Sequence, residues 1–333
     1  MSAPGAGASG EDSLIARYFK PLATEAGAFA LTDDAAVLKA LGHDIVVTTD
    51  AIVEGVHFLR DDPAETVAQK ALRVNLSDLA AKGAVPAGFV LTLALRKVDD
   101  GWLAAFAHGL GADAREFNCP LLGGDTVSTP GPLMISITAF GRVAEGRMVR
   151  RSGARPGDHV VVTGTIGDAA LGLDILKKGR AATALASDAF SRDMLIARYR
   201  VPQPRSALAA AIGAHAHAAM DVSDGLAGDL AKLCAASGVS AAIDLASIPL
   251  SPAASAVLAA GASDITEIIA GGDDYELLCA IAPEVLENFV KACRAAGVPA
   301  SPIGTMLAGA SAPRFLDAEG RELPLTRTSY SHF

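Results

Sequence analysis

The stretch Leu121-Leu122-Gly123-Gly124-Asp125-Thr126 constrains this chain more than any other. An apolar run ends, two glycines bare the backbone, and a carboxylate follows at once. Glycine permits backbone angles and close approaches that no other residue allows. The pattern predicts a strand, Cys119 to Leu122, feeding a tight turn that sets bare N–H groups beside a carboxylate. Phosphate and a hard cation suit such a place, and a solvated turn is the simpler alternative. Recurrence weighs against the simpler alternative. The same order of apolar run, then Gly, Ser or Thr, then Asp returns at Thr48-Thr49-Asp50, Asp221-Val222-Ser223-Asp224 and Gly271-Gly272-Asp273-Asp274.

A chain of 333 residues is long enough for two domains, and 51% hydrophobic with 20% charged residues supports a sizeable core. The formal charge of −9 argues against nucleic acid or a membrane surface as partner. It also means that an anionic substrate needs cations, or local Arg and Lys, to approach the acidic clusters. Cys119, Cys234, Cys279 and Cys293 show no C-x-x-C spacing and read as reduced core thiols. No secretory leader and no membrane-spanning run is expected, so the predicted compartment is the cytoplasm.

Along the chain, residues 5 to 10 match G-x-G-x-x-G, but no strand precedes them, and residues 1–10 are expected to be a flexible tail. A short helix is predicted over Ser13 to Phe19, and a β-branched strand from Ile45 to Thr49 with Asp50 at its C-terminal end. Asp62 and Pro63 open a long helix as cap and first residue, and Gly83 closes it. Within it Asp78 shares a face with Val67, Ala71 and Val74. A carboxylate on that stripe is costly unless it binds metal, reaches water or pairs with Arg73 or Lys82. Strands follow at Phe89 to Leu95 and Leu133 to Val143, with a helix between them from Asp100 to Arg115.

The basic stretch Arg150 to Gly157 is the expected domain boundary, dividing 11–149 from 150–333, and is either a solvated linker or an anion-contacting loop. Beyond it, strands are predicted at Val160 to Thr163, Ala219 to Val222 and Leu277 to Ile281. Helices are predicted from Gly225 towards Gly238 and from Pro283 to Ala296, with His215 and His217 on an alanine-rich helix.

No G-x-x-x-x-G-K-[ST], G-x-S-x-G or H-E-x-x-H occurs. Asp, Thr and Ser, rather than Cys and His, fill the motifs, which disfavours zinc and suits Mg²⁺ bridging carboxylates to phosphates. Separate acidic groups suggest several ions, as a triphosphate facing an acceptor phosphate would need. Arg150 and Arg151 are the nearest candidates to complement a transferring phosphoryl group.

The motifs, taken in order, resemble a known family. They are Asp33-Asp34-Ala35-Ala36-Val37, Thr48-Thr49-Asp50 with Glu54-Gly55-Val56-His57-Phe58, Asn75-Leu76-Ser77-Asp78, Gly123-Gly124-Asp125-Thr126, Arg151 to Asp158, Asp221-Val222-Ser223-Asp224-Gly225-Leu226 and Gly271 to Leu277. This set resembles the thiamine-monophosphate kinases of the aminoimidazole-ribonucleotide-synthetase-like superfamily, over roughly residues 11 to 333. The resemblance implies a mixed α/β fold with an N-terminal dimerising α/β domain and a C-terminal α/β domain. It implies a homodimer that uses ATP to phosphorylate thiamine monophosphate by direct in-line transfer, the last step of thiamine diphosphate biosynthesis.

It further implies that Asp34, Thr48, Thr49, Asp50, Asp78, Asp125, Asp221 and Asp224 bind several Mg²⁺ ions, with room for K⁺ as a monovalent cation. Gly124, Asp125, Arg151 and Ser223 would contact ATP, and His57, Asp273 and Tyr330 the thiamine phosphate. Thr32 replaces the usual Gly before the acidic pair, and Asp273 replaces a frequent Glu, with shorter reach. A selenophosphate synthetase would need a reactive Cys near the start, where the first here is Cys119. An aminoimidazole ribonucleotide synthetase fits on fold alone, and a Mg²⁺-binding module without turnover is the alternative from another class.

Overall fold

The computed structural model describes residues 42–325 together with Phe29, Thr32, Asp33 and 36–40. The helix expected over Ser13 to Phe19, the tail 1–10, Asp34 and Tyr330 lie outside the described residues. Two β-sheets form, each built from one half of the sequence.

The first contains β1 (Ala36–Ala40), β2 (His43–Val53), β3 (Val85–Leu95), β4 (Leu121–Ser128) and β5 (Met134–Ala144), in the order β1-β2-β5-β3-β4. Pairing is antiparallel except between β3 and β4. A parallel pair needs a crossover, and α2 (Asp100–Glu116) supplies it. With α1 (Ala64–Ala81) it covers one face of the sheet. Ile135, Ile137, Ala139 and Val143 of β5 alternate inward onto a core that includes Leu72, Leu76, Leu79, Phe106 and Leu110. The opposite face carries the half-buried Ser136, Thr138 and Phe140.

Three expectations change here. Asp50 is not the end of its strand, because Ala51-Ile52-Val53 continue the pairing with β5. The Gly123-Gly124-Asp125 motif is not a turn but the middle of β4, an edge strand exposed along its whole length. Gly124 is required by close approach instead: a Cβ there would lie 2.0 Å from the Leu91 carbonyl oxygen on β3. The strand predicted at Leu133 to Val143 forms, with both edges bonded within its own sheet. At the opening of α1 the cap is Pro63, while Asp62 accepts from the Leu59 amide and from Arg200.

The second sheet runs β11-β8-β10-β6-β9-β7, from β6 (His159–Thr163), β7 (Ala216–Asp221), β8 (Val239–Asp244), β9 (Leu277–Ile281), β10 (Ala300–Ala308) and β11 (Arg314–Leu316). It is buried on both faces, which explains the unbroken run Val160-Val161-Val162. Val160 and Val162 face α7 (Leu226–Ser237), through Leu226, Leu230 and Leu233. Val161 faces the other way, towards α6 (Ala209–His215), α10 (Leu286–Ala295) and the end of α1 at Ala80 and Ala81. Helices α3 (Asp168–Leu176), α4 (Arg180–Ala184), α5 (Ala189–Arg200), α8 (Pro252–Ala259) and α9 (Ile265–Ile269) complete this half. The helix carrying His215 stops there, so His217 lies on β7, where its Nδ1 meets the Asp158 carboxylate at 3.0 Å. The four cysteines are buried free thiols. Among the described residues no helix is long and apolar enough to cross a membrane.

Candidate active site

A cleft of about 720 Å³ opens between the two sheets, lined by residues of β2, α1, the Arg151 loop, the Ser223 turn, α7 and the Gly271–Tyr275 turn. Its floor begins at the contact of β2 with α1. The Asp50 amide donates to Asn75 Oδ1 (3.0 Å), and Asn75 in turn donates to the Ala71 carbonyl (3.0 Å). This ties the strand to the helix at the level of Asp78, whose Oδ2 accepts the Thr48 hydroxyl. Alternation sends Thr48 and Asp50 to that side and Thr49 to the other. The Thr49 hydroxyl accordingly bonds the Ile137 carbonyl (3.1 Å) and Thr138, so its side chain does not join the acids.

The acids are crowded. Burial pushes the Asp78 carboxyl well above the carboxylate range, and the nearby Asp221 and Asp50 charges push further. Burial likewise raises Asp221 to about 7, with Asp229 and Asp50 adding to it. Asp229 rises to about 6, mainly by burial and also from Asp224. The buried Tyr275 phenol is raised too, with Asp273, Asp50, Asp221 and Asp224 all contributing. One phenol therefore feels carboxylates from both halves of the chain.

The cations nearby are committed. Arg73, one partner considered for Asp78, is taken by Asp113 through two bonds of 2.6 and 2.8 Å. Lys82, the other, holds Asp33 (2.8 Å) and the Ala219 carbonyl (2.9 Å). Lys232 sits between Asp224 and Asp229. Asp33 also accepts the Arg151 amide (2.8 Å), which anchors the basic loop so that Arg151 lines the cleft. Arg150 instead lies over the Phe29 ring, 4.2 Å from its centroid.

The two later motifs are stitched to each other. The Asp273 amide donates to the Ser223 carbonyl and the Tyr275 amide to that of Val222, each at 2.8 Å. A Cβ at Gly272 would lie 2.5 Å from the Ser223 oxygen, which is why glycine stands there. Asp273 and Tyr275 both adopt positive φ, at 71° and 52°. Such backbone persists where surroundings over-determine it, and it clusters at functional sites. On the other wall, His57 Nδ1 accepts the Val53 amide (3.0 Å), which leaves the proton on Nε2.

Of the residues singled out from sequence, Thr48, Thr49, Asp50, His57, Asp78, Arg151, Asp221, Ser223, Asp224 and Asp273 line this cleft, Thr49 with its hydroxyl turned to the Ile137 carbonyl. Gly124 and Asp125 do not. In the order β2-β5-β3-β4 they stand three strands from Asp50, about 14 Å across the sheet at roughly 4.8 Å per strand. Lys70, Asn75, Tyr199, Asp229 and Lys232 were missed. For Lys70 a signal existed, since it falls on the same helical stripe as Val67, Val74 and Asp78.

Every donor at the acid cluster is oxygen, which suits Mg²⁺. Among the described residues no three His, Cys, Asp or Glu side chains form a ready cage. Mg²⁺ uses one or two carboxylates, keeps waters and takes the remainder from substrate phosphates. The buried Asp78 and Asp221, each raised by the other acids, are places where a cation relieves repulsion.

The sequence matches the family described as AIR synthase related protein, its N-terminal domain over residues 32–143 and its C-terminal domain over residues 155–314. Two α/β halves with an acid-lined cleft between them are what that class presents here. A thiamine-monophosphate kinase of Caulobacter vibrioides is 41% identical, covering 99% of this chain and 93% of its own. The structure solved as AaThiL complexed with AMPPCP and TMP aligns over 100% of this chain and 99% of its own, with a TM-score of 0.83 at 29% identity. A thiamine-monophosphate kinase of Stenotrophomonas maltophilia K279a aligns over 95% and 98%, with a TM-score of 0.77 at 36% identity. The chain belongs to the thiamine-monophosphate kinase family.

Proposed function

We propose that the protein transfers the γ-phosphoryl group of ATP directly to thiamine monophosphate, giving thiamine diphosphate in the last step of that cofactor's synthesis. The observation that carries this is the convergence of Asp50 and Asp78 from one half with Asp221 and Asp224 from the other on a single cleft. Such a site has little use for a neutral ligand; it is built for cations that bridge to polyanions. The relative solved in complex with AMPPCP and TMP supports this reading, since that pair offers one ligand for each side of such a reaction.

Mg²⁺ ions held by Asp50, Asp78, Asp221 and Asp224, with the Thr48 hydroxyl beside them, would neutralise the facing phosphates. The remaining work falls to the chain itself. Arg151 and Ser223 address the nucleotide, and Arg151 offers a fixed positive charge to the group in transit. His57 and Asp273 lie together on the acceptor side. An acceptor phosphate already carries about −1.5 to −2 charge, so no strong general base is needed. The aspartates serve the cations, which leaves none to become a phosphoenzyme.

The protein works as a homodimer in this reading. Asp125 is too far from Asp50 to share an ion within one chain, so a second copy supplies it, together with Gly124. The edge strand that carries them exposes Leu121, Leu122 and Val127 by 52%, 61% and 43%, apolar surface that a partner would cover. The boundary between halves stays at Arg150 to Gly157, and the compartment is the cytoplasm, where ATP is available.

Incubation with ATP, Mg²⁺ and thiamine monophosphate should yield ADP and thiamine diphosphate in equal amounts. ADP release that does not depend on thiamine monophosphate would overturn the reading. With chiral γ-labelled ATP, direct transfer requires inversion at phosphorus; retention would show a covalent intermediate.

A further inference from the structure

Lys70 lies in the first half of α1 with almost no exposure to solvent. An ammonium group in such a place is costly unless its donors are used. They are. Nζ donates to the His57 carbonyl (2.8 Å) and to Asp273 Oδ2 (2.9 Å), and lies 3.9 Å from the centroid of the Tyr199 ring. Tyr199 closes the set by donating its own hydroxyl to the same His57 carbonyl (3.3 Å). One side chain of the first half thus gathers the loop after β2, the turn before β9 and helix α5.

The two residues it holds are two of the three assigned to the acceptor, and each needs holding. His57 sits on a loop rather than on the strand. Asp273 sits at positive φ, a strained backbone for a residue with a side chain, and its carboxylate is partly exposed to the cleft. Its other oxygen faces the Tyr275 hydroxyl at 3.4 Å. With Oδ2 bound to an ammonium, Asp273 meets its ligand with its charge already matched. What it presents to the cleft is Oδ1, an acceptor for an N–H or O–H donor on the ligand.

We propose that Lys70 is a positioning residue for the phosphoryl acceptor, fixing the His57 main chain and the Asp273 carboxylate in one geometry while leaving the nucleotide side untouched. The proposal rests on the reading of His57 and Asp273 as acceptor contacts. Lys70→Met keeps the buried stem and removes the charge. It should raise KM for thiamine monophosphate about tenfold while KM for ATP stays within about twofold.

Asp273→Asn should behave alike, and the double variant should be no worse than the worse single one, because both changes break one link. Equal rises in both KM values, or additive effects in the double variant, would overturn the role. If Lys70→Met fails to fold by circular dichroism, Asp273→Asn, whose group is partly exposed, decides alone: an unchanged KM for thiamine monophosphate refutes the link. Lack of thiamine-monophosphate-dependent ADP release from the native protein would instead overturn the acceptor reading, and the positioning role with it.

Discussion

The ammonium of Lys232 sits on the carboxylate of Asp224, with Asp229 on its far side at 3.2 Å. The protein therefore carries its own cation at a position expected to bind a metal. Asp229 accepts the Ser223 and Asp224 amides as well, so the pairing also fixes the turn.

Removing that internal cation should help an external one. Lys232→Met is expected to bind Mn²⁺, used as a paramagnetic stand-in for Mg²⁺ without nucleotide, about tenfold more tightly, or roughly 1.4 kcal/mol. Titration followed by electron paramagnetic resonance reads this directly. Unchanged affinity would mean that Asp224 takes no part in cation binding.

Stability of the ion-free protein should fall as pH rises. Burial raises the Asp221 carboxyl to about 7 and that of Asp229 to about 6 in the folded state, both above the usual carboxylate range. The folded form thus binds more protons than the unfolded form between about pH 4 and 7, and stability declines through that window. Thermal melts in EDTA at pH 5 and pH 7.5 should show the lower midpoint at pH 7.5. Added Mg²⁺ should stabilise more at pH 7.5 than at pH 5. A midpoint that climbs with pH in EDTA would contradict the burial of these carboxyls.

Asp50→Asn and Asp125→Asn should each abolish most turnover while the protein stays folded. Mixed together and allowed to exchange subunits, the two inactive variants should regain about a quarter of native activity. Half the dimers would be mixed, and each of those would hold one intact site. No recovery after proven exchange would place Asp125 outside the site of its partner.

Gly124→Ala should unseat β4. A methyl group 2.0 Å from the Leu91 oxygen cannot be accommodated without moving one strand. Overpacking of this kind costs about 1–3 kcal/mol, and activity should fall further than the melting point suggests, because Asp125 moves with the strand. Gly123→Ala, whose Cβ would meet nothing within 4 Å, is the matched control. Equal effects of the two would discount the close contact.

Much of this was legible in the sequence. Strand Leu277–Ile281 and the helix from Asp100 fall where periodicity and caps put them, and the motifs at Asp50, Asp221 and Asp273 line one cleft, while the one at Gly124 stands apart from it. The misreadings have a common cause. Gly123-Gly124 reads locally as a turn, and only the neighbouring Leu91 carbonyl shows that the glycine makes room for a strand. The alanine-rich run around His217 favours a helix, but the pairing of β7 with β9 overrides that preference. Lys70 and Lys232 carry no such signal of partner, because lysine is normally a surface residue and only the fold shows whose carboxylate each one meets.

Helix α1 has a consequence for how the chain folds. Only Glu65, Thr66 and Gln69 of its residues escape burial, and its two sides belong to different cores. Leu72 and Leu76 pack under the first sheet, while Ala80 and Ala81 pack with Leu277 and Cys279 of the second. A fragment ending near Gly157 would expose that second side, together with Lys82, whose Ala219 partner would be gone. The two halves should therefore unfold as one cooperative unit: calorimetric melting should give one transition, and neither half should fold when expressed alone.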